Sequence, residues 1–298
     1  MRVAAIDLGT NTTRLLVADV EGDDLRELRR ETRITRLGEG VDTRGRLLPV
    51  PIARVRNVLA DYRRAAEELG AERTLLVATS AVRDAENGEA FLGEIEWSYG
   101  FATRLLSGDD EAALMRRGVG ATEPGTLLVD IGGGSTELVL EGFHVSLPLG
   151  VVRFTERHGE DVPALEAATR ELLPELEPRA AVGVAGTVTT LAALDLGLEE
   201  YDRERVNGHL LTREGARAQL GRLAALPLEE RRRVPALEPE RAPVIVAGAA
   251  ILVAILGRYG LDAIRASEHD LLDGAALAAA ELPEPEEGEA PPGAYTCC

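Results

Sequence analysis

The chain has 298 residues, which is enough for about two domains at roughly 150 residues each. Hydrophobic residues make up 45% and charged residues 28%, which excludes a disordered, a collagen-like or a disulfide-built protein. Acidic residues number 51 against 33 basic ones, giving a formal net charge of -18. The overall charge therefore argues against nucleic-acid or anionic-membrane binding, and a polyanionic ligand would need a local site.

Cysteine content and hydropathy suggest a compartment. The two cysteines, Cys297 and Cys298, are adjacent at the C-terminal end, so no internal disulfide or cysteine metal site is expected. No signal-peptide pattern precedes the first strand-like segment. The most apolar run, residues 244–256, is shorter than the roughly 20 residues of a spanning helix. We interpret this run as a buried core helix and expect a cytoplasmic protein.

The first half of the sequence alternates strand and helix patterns. Apolar runs at residues 3–7 and 14–20, joined by small polar residues, predict a β-hairpin that opens the chain. Helical spacing of apolar residues predicts a helix over 51–69 that stops at Gly70. Further elements are predicted as a strand over 75–78, a helix over 89–99, a strand over 102–106 and a helix over 109–117. Strands that alternate with helices are typical of an α/β fold.

The second half repeats the opening pattern. Residues 126–130 and 137–140 predict two strands joined by a turn at residues 132–134. At one constant offset along the chain, four residues of the first hairpin match four of the second: Asp7 with Asp130, Gly9 with Gly132, Thr13 with Thr136 and Leu15 with Leu138. A glycine turn is common, but its recurrence with the same Asp, Thr and Leu spacing indicates an internal duplication.

The duplication predicts two related domains, over residues 1–118 and 119–281, with a cleft between them. The last helix, at about residues 270–281, can pack back on the first domain. Residues 282–298 are rich in Glu, Pro and Gly and are expected to form a disordered acidic tail.

Each hairpin has an Asp at the end of a strand, followed by small residues. Backbone N–H groups in such a turn can approach an anion that bulky side chains would exclude. Phosphate chemistry usually needs a hard cation held by one or two carboxylates, and Asp7, Asp130 and Glu137 are the candidates. The alternative, that Asp7 and Asp130 only accept turn hydrogen bonds, is favoured for one hairpin taken alone. The duplication favours the phosphate site.

A third glycine and threonine element follows another apolar strand. Residues 182–185 lead into Gly186 and Thr187, and then into a helical segment over 191–194. A strand followed by glycine and a threonine-capped helix start can bind an anion, although the same residues also serve as an ordinary helix cap.

Five segments, taken together, resemble the Ppx/GppA family of exopolyphosphatases and guanosine pentaphosphate phosphohydrolases. They are residues 7–11 (DLGTN), 79–83 (TSAVR), 107–112 (SGDDEA), 130–137 (DIGGGSTE) and 186–190 (GTVTT). The resemblance runs from about Arg2 to Ala280 and is closest to short bacterial members without C-terminal helical domains. It implies the actin-like ATPase fold, in which each of two duplicated domains has a central mixed sheet with helices on its faces.

The resemblance also assigns roles to residues. Glu111 matches the catalytic glutamate and is expected to act as a general base on water. The residue pattern alone leaves open which of Asp109, Asp110 and Glu111 does this, or whether all three only begin a helix. Asp130 and Glu137 match metal-site acids with Asp7 as their counterpart, and the expected ion is Mg²⁺, with Mn²⁺ as an alternative. The expected phosphate-binding residues are Thr10, Asn11, Arg83, Gly132, Gly133, Gly134, Ser135, Thr136, Gly186 and Thr187. Arg14, at the place of Glu137 in the first hairpin, either faces phosphate or is an exposed surface residue.

The leading hypothesis is a Mg²⁺-dependent exopolyphosphatase that releases orthophosphate from inorganic polyphosphate. Hydrolysis of guanosine pentaphosphate is the closest alternative, because it uses the same phosphoanhydride chemistry. A phosphotransferase on the same fold and a non-catalytic sensor of polyphosphate or nucleotide also remain open. A homodimer is one possible assembly by analogy with the family.

Overall fold

The computed structural model describes residues 1–283, and the chain divides into two units. The first unit comprises Met1–Val119 and the described residues from Leu271 onward, and the second comprises Gly120–Asp270. Each unit has a mixed β-sheet flanked by helices, which is the arrangement that the family resemblance implies. Cys297, Cys298 and all of the predicted acidic tail beyond Pro283 lie outside the described residues.

The first unit begins with the predicted hairpin. Its elements are β1 (Arg2–Leu8), β2 (Thr12–Glu21), β3 (Asp24–Ile34), α1 (Val41–Arg44), α2 (Pro49–Glu68), β4 (Arg73–Ala78), α3 (Ser80–Arg83), α4 (Gly88–Tyr99), β5 (Ala102–Leu105), α5 (Gly108–Val119) and the last helix of the described chain, α13 (Leu271–Ala280). Helix α2 begins with Pro49, whose fixed φ suits the first helical position. Gly70, just beyond this helix, has a φ of 73°, which a glycine adopts at little cost.

Strand β1 is the centre of the first unit. Successive side chains of a strand point to opposite faces of the sheet, and both sets are buried here. Ile6 and its even-numbered neighbours pack with side chains of α2 and α4. Val3 and Ala5 pack on the other face with side chains of α5 and α13. Both faces of this sheet are therefore covered by helices, which fixes the end of β1 where Asp7 stands.

The second unit has its own core. Its elements are β6 (Thr126–Ile131), β7 (Thr136–Leu140), β8 (Phe143–Leu147), α6 (Val151–His158), α7 (Val162–Leu172), β9 (Ala180–Val184), α8 (Ala185–Asp195), α9 (Arg203–Val206), β10 (Leu210–Thr212), α10 (Arg213–Ala225), α11 (Leu228–Arg231), α12 (Ile245–Arg258) and β11 (Ala263–Ala266). Every residue of α12 from Ile245 to Leu256 is buried, which confirms the predicted core helix.

The two sheets share one topology. The first has the strand order β3-β2-β1-β4-β5, and the second has the order β10-β11-β9-β6-β7-β8. When the second order is reversed, β8-β7-β6-β9-β11 matches the first sheet, and β10 is an additional edge strand. The registers also correspond, because Asp7 pairs with Arg14 and Asp130 pairs with Glu137. These features confirm the predicted duplication.

Four strands were missing from the predicted elements: β3 and β8, the third strand of each antiparallel meander, and the short strands β10 and β11. Strand β3 has the sequence DLRELRRETRI and lies at a sheet edge, where charged residues prevent pairing with another chain. Its charges therefore obscure the apolar alternation on which the prediction of strands relies. Among residues 1–283, no helix combines the length and the apolar character needed to cross a bilayer.

Candidate functional site

The first-unit hairpin turns in a loop that we call loop 1, residues 9–12. The Gly9 N–H donates to the Thr12 carbonyl at 2.9 Å. The Thr10 hydroxyl lies 2.9 Å from the Ser80 hydroxyl, at the start of α3. Asn11 is only 6% exposed, and its Oδ1 accepts no hydrogen bond from the described residues. A buried amide oxygen without a hydrogen-bond donor is uncommon and suggests that loop 1 is shaped for a polar ligand.

Asp7 forms an ion pair with Arg14. The Nε and Nη2 atoms of Arg14 lie 2.9 and 2.7 Å from Asp7 Oδ2. The Arg14 side chain is 15% exposed and that of Asp7 is 8% exposed. Arg14 is therefore not the exposed surface residue that one interpretation of the sequence allowed. The pair also argues against Asp7 as a metal ligand, because a guanidinium already offsets the charge of its carboxylate.

Glu111 is buried at the start of α5 and forms an ion pair with Arg83. It is 3% exposed, and Arg83 Nη1 donates both to Glu111 Oε1 and, at 2.7 Å, to the Leu106 carbonyl. Asp110 has a different role, because it accepts hydrogen bonds from the Ser107 hydroxyl at 2.6 Å and the Ser107 N–H at 3.0 Å. These bonds lower the pKa of Asp110. The structure thus distinguishes a buried glutamate beside a cation from an aspartate that caps the helix.

The second-unit hairpin turns in a loop that we call loop 2, residues 132–135. As in loop 1, the N–H of its first glycine, Gly132, donates to the carbonyl three residues on, that of Ser135, at 3.0 Å. Neither Gly133, Gly134 nor Ser135 donates its N–H to a backbone carbonyl of the described chain. Consecutive N–H groups of this kind form a concavity that suits an anion.

Thr136 and Thr187, both predicted to bind phosphate, are instead engaged in the fold. Thr136 is fully buried, and its hydroxyl donates to the Leu149 carbonyl. The Thr187 hydroxyl donates to the Ile131 carbonyl at 2.9 Å, and the residue is 3% exposed. These hydroxyls connect the hairpin to neighbouring segments, so the geometry does not support direct phosphate contact by either side chain.

Asp130 and Glu137 stand directly opposite each other on β6 and β7. Opposed residues of an antiparallel pair project from the same face, and like charges in that arrangement are destabilising. Glu137 is 5% exposed, and Ser146 on β8 donates to its Oε1 at 2.8 Å. No group of three acidic, histidine or cysteine side chains able to hold a metal occurs in the described part of the chain. The carboxylate pair suits a hard cation that takes its other ligands from water and phosphate.

Arg241 packs against Gly186, a contact that was not predicted from the sequence. A Cβ on Gly186 would lie 2.1 Å from Nη1 of Arg241, so only glycine leaves room for this guanidinium. The preceding residue, Ala185, has a φ of 59°, which is unusual for a residue with a side chain. The space beside Gly186 that was assigned to phosphate is thus bordered by Arg241. Arg241 lies 241 − 186 = 55 residues further along the chain, so the sequence gives no signal of this contact.

Comparisons with known proteins agree with these features. Residues 16–281 match the model of the Ppx/GppA phosphatase family. Exopolyphosphatase 2 of Mycobacterium tuberculosis is 40% identical over 94% of this chain and 98% of its own length. Guanosine-5'-triphosphate,3'-diphosphate pyrophosphatase of Vibrio vulnificus is 32% identical over 92% of this chain and 58% of its own length.

Solved structures show the same relationship. The crystal structure of an exopolyphosphatase-like protein has a TM-score of 0.86 and 34% identity, covering 93% of this chain and 98% of the other. The Aquifex aeolicus Ppx/GppA family member has a TM-score of 0.76 and 30% identity, covering 94% of this chain and 98% of the other. Phosphatases of this family generally depend on a divalent metal ion. The chain belongs to the Ppx/GppA phosphatase family.

Proposed function

We propose that this protein is an exopolyphosphatase that hydrolyses the terminal phosphoanhydride of inorganic polyphosphate with Mg²⁺ and releases orthophosphate. The observation that carries the proposal is loop 2, whose N–H groups at Gly133, Gly134 and Ser135 have no backbone acceptor in the described chain. The exopolyphosphatase relative, matched over nearly its whole length, supports the choice of substrate.

Backbone amides explain how a protein of net charge -18 can hold a polyanion. Amide donors provide local positive potential without adding cationic side chains. Asn11 in loop 1 adds a buried side-chain amide, and the Ser135 hydroxyl in loop 2 adds a further donor. We assign phosphate contacts to these groups.

Glu111 is the proposed general base. Its carboxylate would accept a proton from a water molecule as the water oxygen bonds to the terminal phosphorus. The bond from that phosphorus to the bridging oxygen breaks, and the shortened polyphosphate leaves with the negative charge. Arg83 donates to Glu111 in the structure, and it is also a predicted phosphate ligand. Its two roles are compatible because a guanidinium has several N–H donors.

Asp130 and Glu137 are the proposed magnesium ligands, and Mn²⁺ would suit the same oxygen donors. When bound, the ion would offset charge on the phosphate oxygens. Ser146 keeps Glu137 in place through its hydrogen bond, as groups around metal ligands commonly do. Asp7 is left out of this assignment because of its pair with Arg14.

Guanosine pentaphosphate hydrolysis is the second candidate, since the Vibrio relative bears a guanosine nucleotide in its name. The test is orthophosphate release from polyphosphate and from guanosine pentaphosphate, measured side by side with Mg²⁺ and water alone. We expect the higher kcat/KM on polyphosphate. A higher value on the nucleotide would reverse the order of the two candidates. Absence of release from both, with transfer to an added acceptor, would instead indicate a phosphotransferase, and binding without turnover would indicate a sensor.

A further inference from the structure

We propose that the segment following the third strand in each unit is a clamp that turns the amides of loop 1 and loop 2 toward an anion. Clamp 1 is residues 35–38 and clamp 2 is residues 150–153. Within these clamps Gly38, Gly150 and Arg153 are positioning residues. The proposal rests on the proposed function only in taking phosphate oxygens as the natural ligand of these loops.

Clamp 2 binds the carbonyls of loop 2 from one side. The Val151 N–H donates to the Gly132 carbonyl at 2.9 Å, and the Val152 N–H donates to the Gly133 carbonyl at 2.8 Å. Arg153 Nε donates to the third carbonyl, that of Gly134, at 2.8 Å. Three successive carbonyls of the loop are thereby held toward α6.

This arrangement determines where the loop amides point. In a planar trans peptide, the N–H of each residue points opposite to the carbonyl before it, and none of the described peptide bonds is cis. Because the carbonyls of loop 2 face clamp 2, the N–H groups of Gly133, Gly134 and Ser135 face away from it. The clamp therefore explains why these amides have no backbone acceptor in the described chain.

Clamp 1 repeats the device in the first unit. The Gly38 N–H donates to the Thr10 carbonyl at 2.9 Å. The N–H groups of Thr35 and Arg36 donate to the Asn11 carbonyl at 3.0 and 2.9 Å, and Arg36 has a φ of 50°. A left-handed conformation in a residue with a side chain is costly and is retained only where its surroundings enforce it. Arg54 of α2 supplies that support, since its Nε donates to the Thr35 carbonyl at 2.7 Å.

A glycine makes the close contact in each clamp. A Cβ on Gly150 would lie 2.3 Å from the Gly133 carbonyl oxygen, and a Cβ on Gly38 would lie 2.2 Å from Thr10 Cγ2. Thr10 and Gly133 are equivalent in the duplicated hairpins. Gly38 and Gly150 thus each lie against equivalent residues of the two loops, although the Gly133 carbonyl accepts from Val152 and the Thr10 carbonyl from Gly38.

The test is titration of the full chain with tripolyphosphate in metal-free buffer, followed by ¹H–¹⁵N spectra. In the wild type we expect the chemical shifts of the Asn11, Gly133, Gly134 and Ser135 amides to change, because the carbonyl before each is held by a clamp. Gly150→Ala should raise the dissociation constant read from the loop 2 amides about 10-fold or more, while that read from the loop 1 amides stays unchanged. This is the effect expected when about one strong hydrogen bond is lost. Gly38→Ala should do the converse. Gly221→Ala in α10, where a Cβ meets open space, is the control and should respond at both loops.

Arg153 provides a second test if Gly150→Ala does not fold. Arg153→Gln should weaken binding at loop 2, and Arg153→Lys should not restore it, because positioning needs the guanidinium Nε–H and not only the charge. Wild-type affinity at loop 2 in folded Gly150→Ala or in Arg153→Gln would overturn the proposal, as would full recovery in Arg153→Lys. If the loop amides change their chemical shifts but the wild type does not hydrolyse polyphosphate, only the proposed function is rejected. Hydrolysis without loop shifts would reject only the clamps.

Discussion

Asp7 and Asp130 occupy equivalent positions in the two hairpins, yet the residues opposite them differ in charge. Asp7 faces Arg14, and the two side chains form an ion pair. Asp130 faces Glu137, so the same register position in the second unit holds two carboxylates. One substitution at a duplicated position thus changes a neutral pair into a pair that suits a cation.

The first prediction concerns the magnesium requirement. Asp130→Asn and Glu137→Gln should each raise the Mg²⁺ concentration for half-maximal activity by about 10-fold or more, because each weakens a hard oxygen site. Asp7→Asn is the matched comparison and should leave that concentration unchanged. Calorimetric titration of Mg²⁺ into each variant gives a readout independent of turnover. A shift for Asp7→Asn equal to that for Asp130→Asn would contradict the assignment.

Sequence patterns put forward Asp130 and loop 2 as candidates, because an Asp before a glycine turn recurs at a fixed offset, and the family resemblance added a role for Glu137. They did not reveal that the Thr136 and Thr187 hydroxyls are used inside the fold, since side-chain direction depends on neighbours distant in sequence. Arg241 and Arg153 were missed for a related reason. Each acts on a loop formed by another segment, and neither lies in a recurring motif.

At the scale of elements, α11 is fixed by a buried arginine. Arg231 is 1% exposed and donates to the carbonyls of Leu223 and Leu226 at 2.9 and 3.0 Å. It also donates to Glu160 through two nitrogens, and this interaction lowers the pKa of Glu160. The ion pair therefore connects the end of α10 and α11 with the loop before α7.

The second prediction follows from this pair. Glu160→Gln should lower the free energy of unfolding at pH 7 by about 1–2 kcal/mol. Breaking a fully buried pair costs ~3–5 kcal/mol, and the loss is smaller here because the Glu160 side chain is 43% exposed to solvent. Since the folded-state pKa is lowered, the stabilisation is present above the unfolded-state value and is lost as pH falls through the folded-state value. Urea unfolding at pH 7 and at pH 3 measures this.

The control for that prediction is Glu229→Gln, which removes an exposed ion pair with Arg232 and should cost less than about 0.5 kcal/mol. An equal loss for both variants at pH 7, or a Glu160→Gln loss that persists undiminished at pH 3, would contradict the account of the buried arginine.

The third prediction concerns the packing of α13 on α5. A Cβ on Gly274 would lie 2.0 Å from the Leu114 carbonyl oxygen. The backbones of the two helices therefore approach closely at Gly274, where no side chain separates them. Gly274→Ala should lower stability by about 1–3 kcal/mol or more through overpacking. Gly93→Ala in α4 has open space and should be neutral or slightly stabilising. Thermal unfolding measures the stability of the two variants, and equal melting temperatures would contradict the close contact at Gly274.

The elements differ in how readily their sequences show them. Helix α12 was predictable because it is apolar on every side and bounded by Pro243 and Arg258. Strand β3 was not, since its arginines and acids pair with one another along a sheet edge and leave little apolar alternation. The duplicated partner of β3, β8, is shorter, with five residues against 11, so alignment of the two halves could not recover either strand.

At the scale of the molecule, the duplication explains both the shared topology and the shared loop geometry. The α/β class could be predicted because strands alternate with helices, and the duplication because the repeated hairpin sequence survives in both units; the actin-like fold was implied by the family resemblance. The clamps could not be predicted, because Gly38 and Gly150 share only a preceding leucine and are separated by 150 − 38 = 112 residues, against 123 for the two hairpins. Loops lined with backbone N–H groups also explain how a protein of net charge -18 can bind a polyanionic substrate.

The central claim is that Glu111 is the base in phosphoanhydride hydrolysis, and the fourth prediction tests it directly. The measurement is the rate of orthophosphate release from polyphosphate by Glu111→Gln, with Asp110→Asn as the neighbouring control that alters only the helix cap. We predict that Glu111→Gln lowers kcat about 100-fold or more while the variant still binds substrate, because a general base typically accelerates a reaction about 10²–10⁴-fold. Asp110→Asn should stay within about threefold of wild type. Near-normal turnover by a folded Glu111→Gln protein would contradict the account.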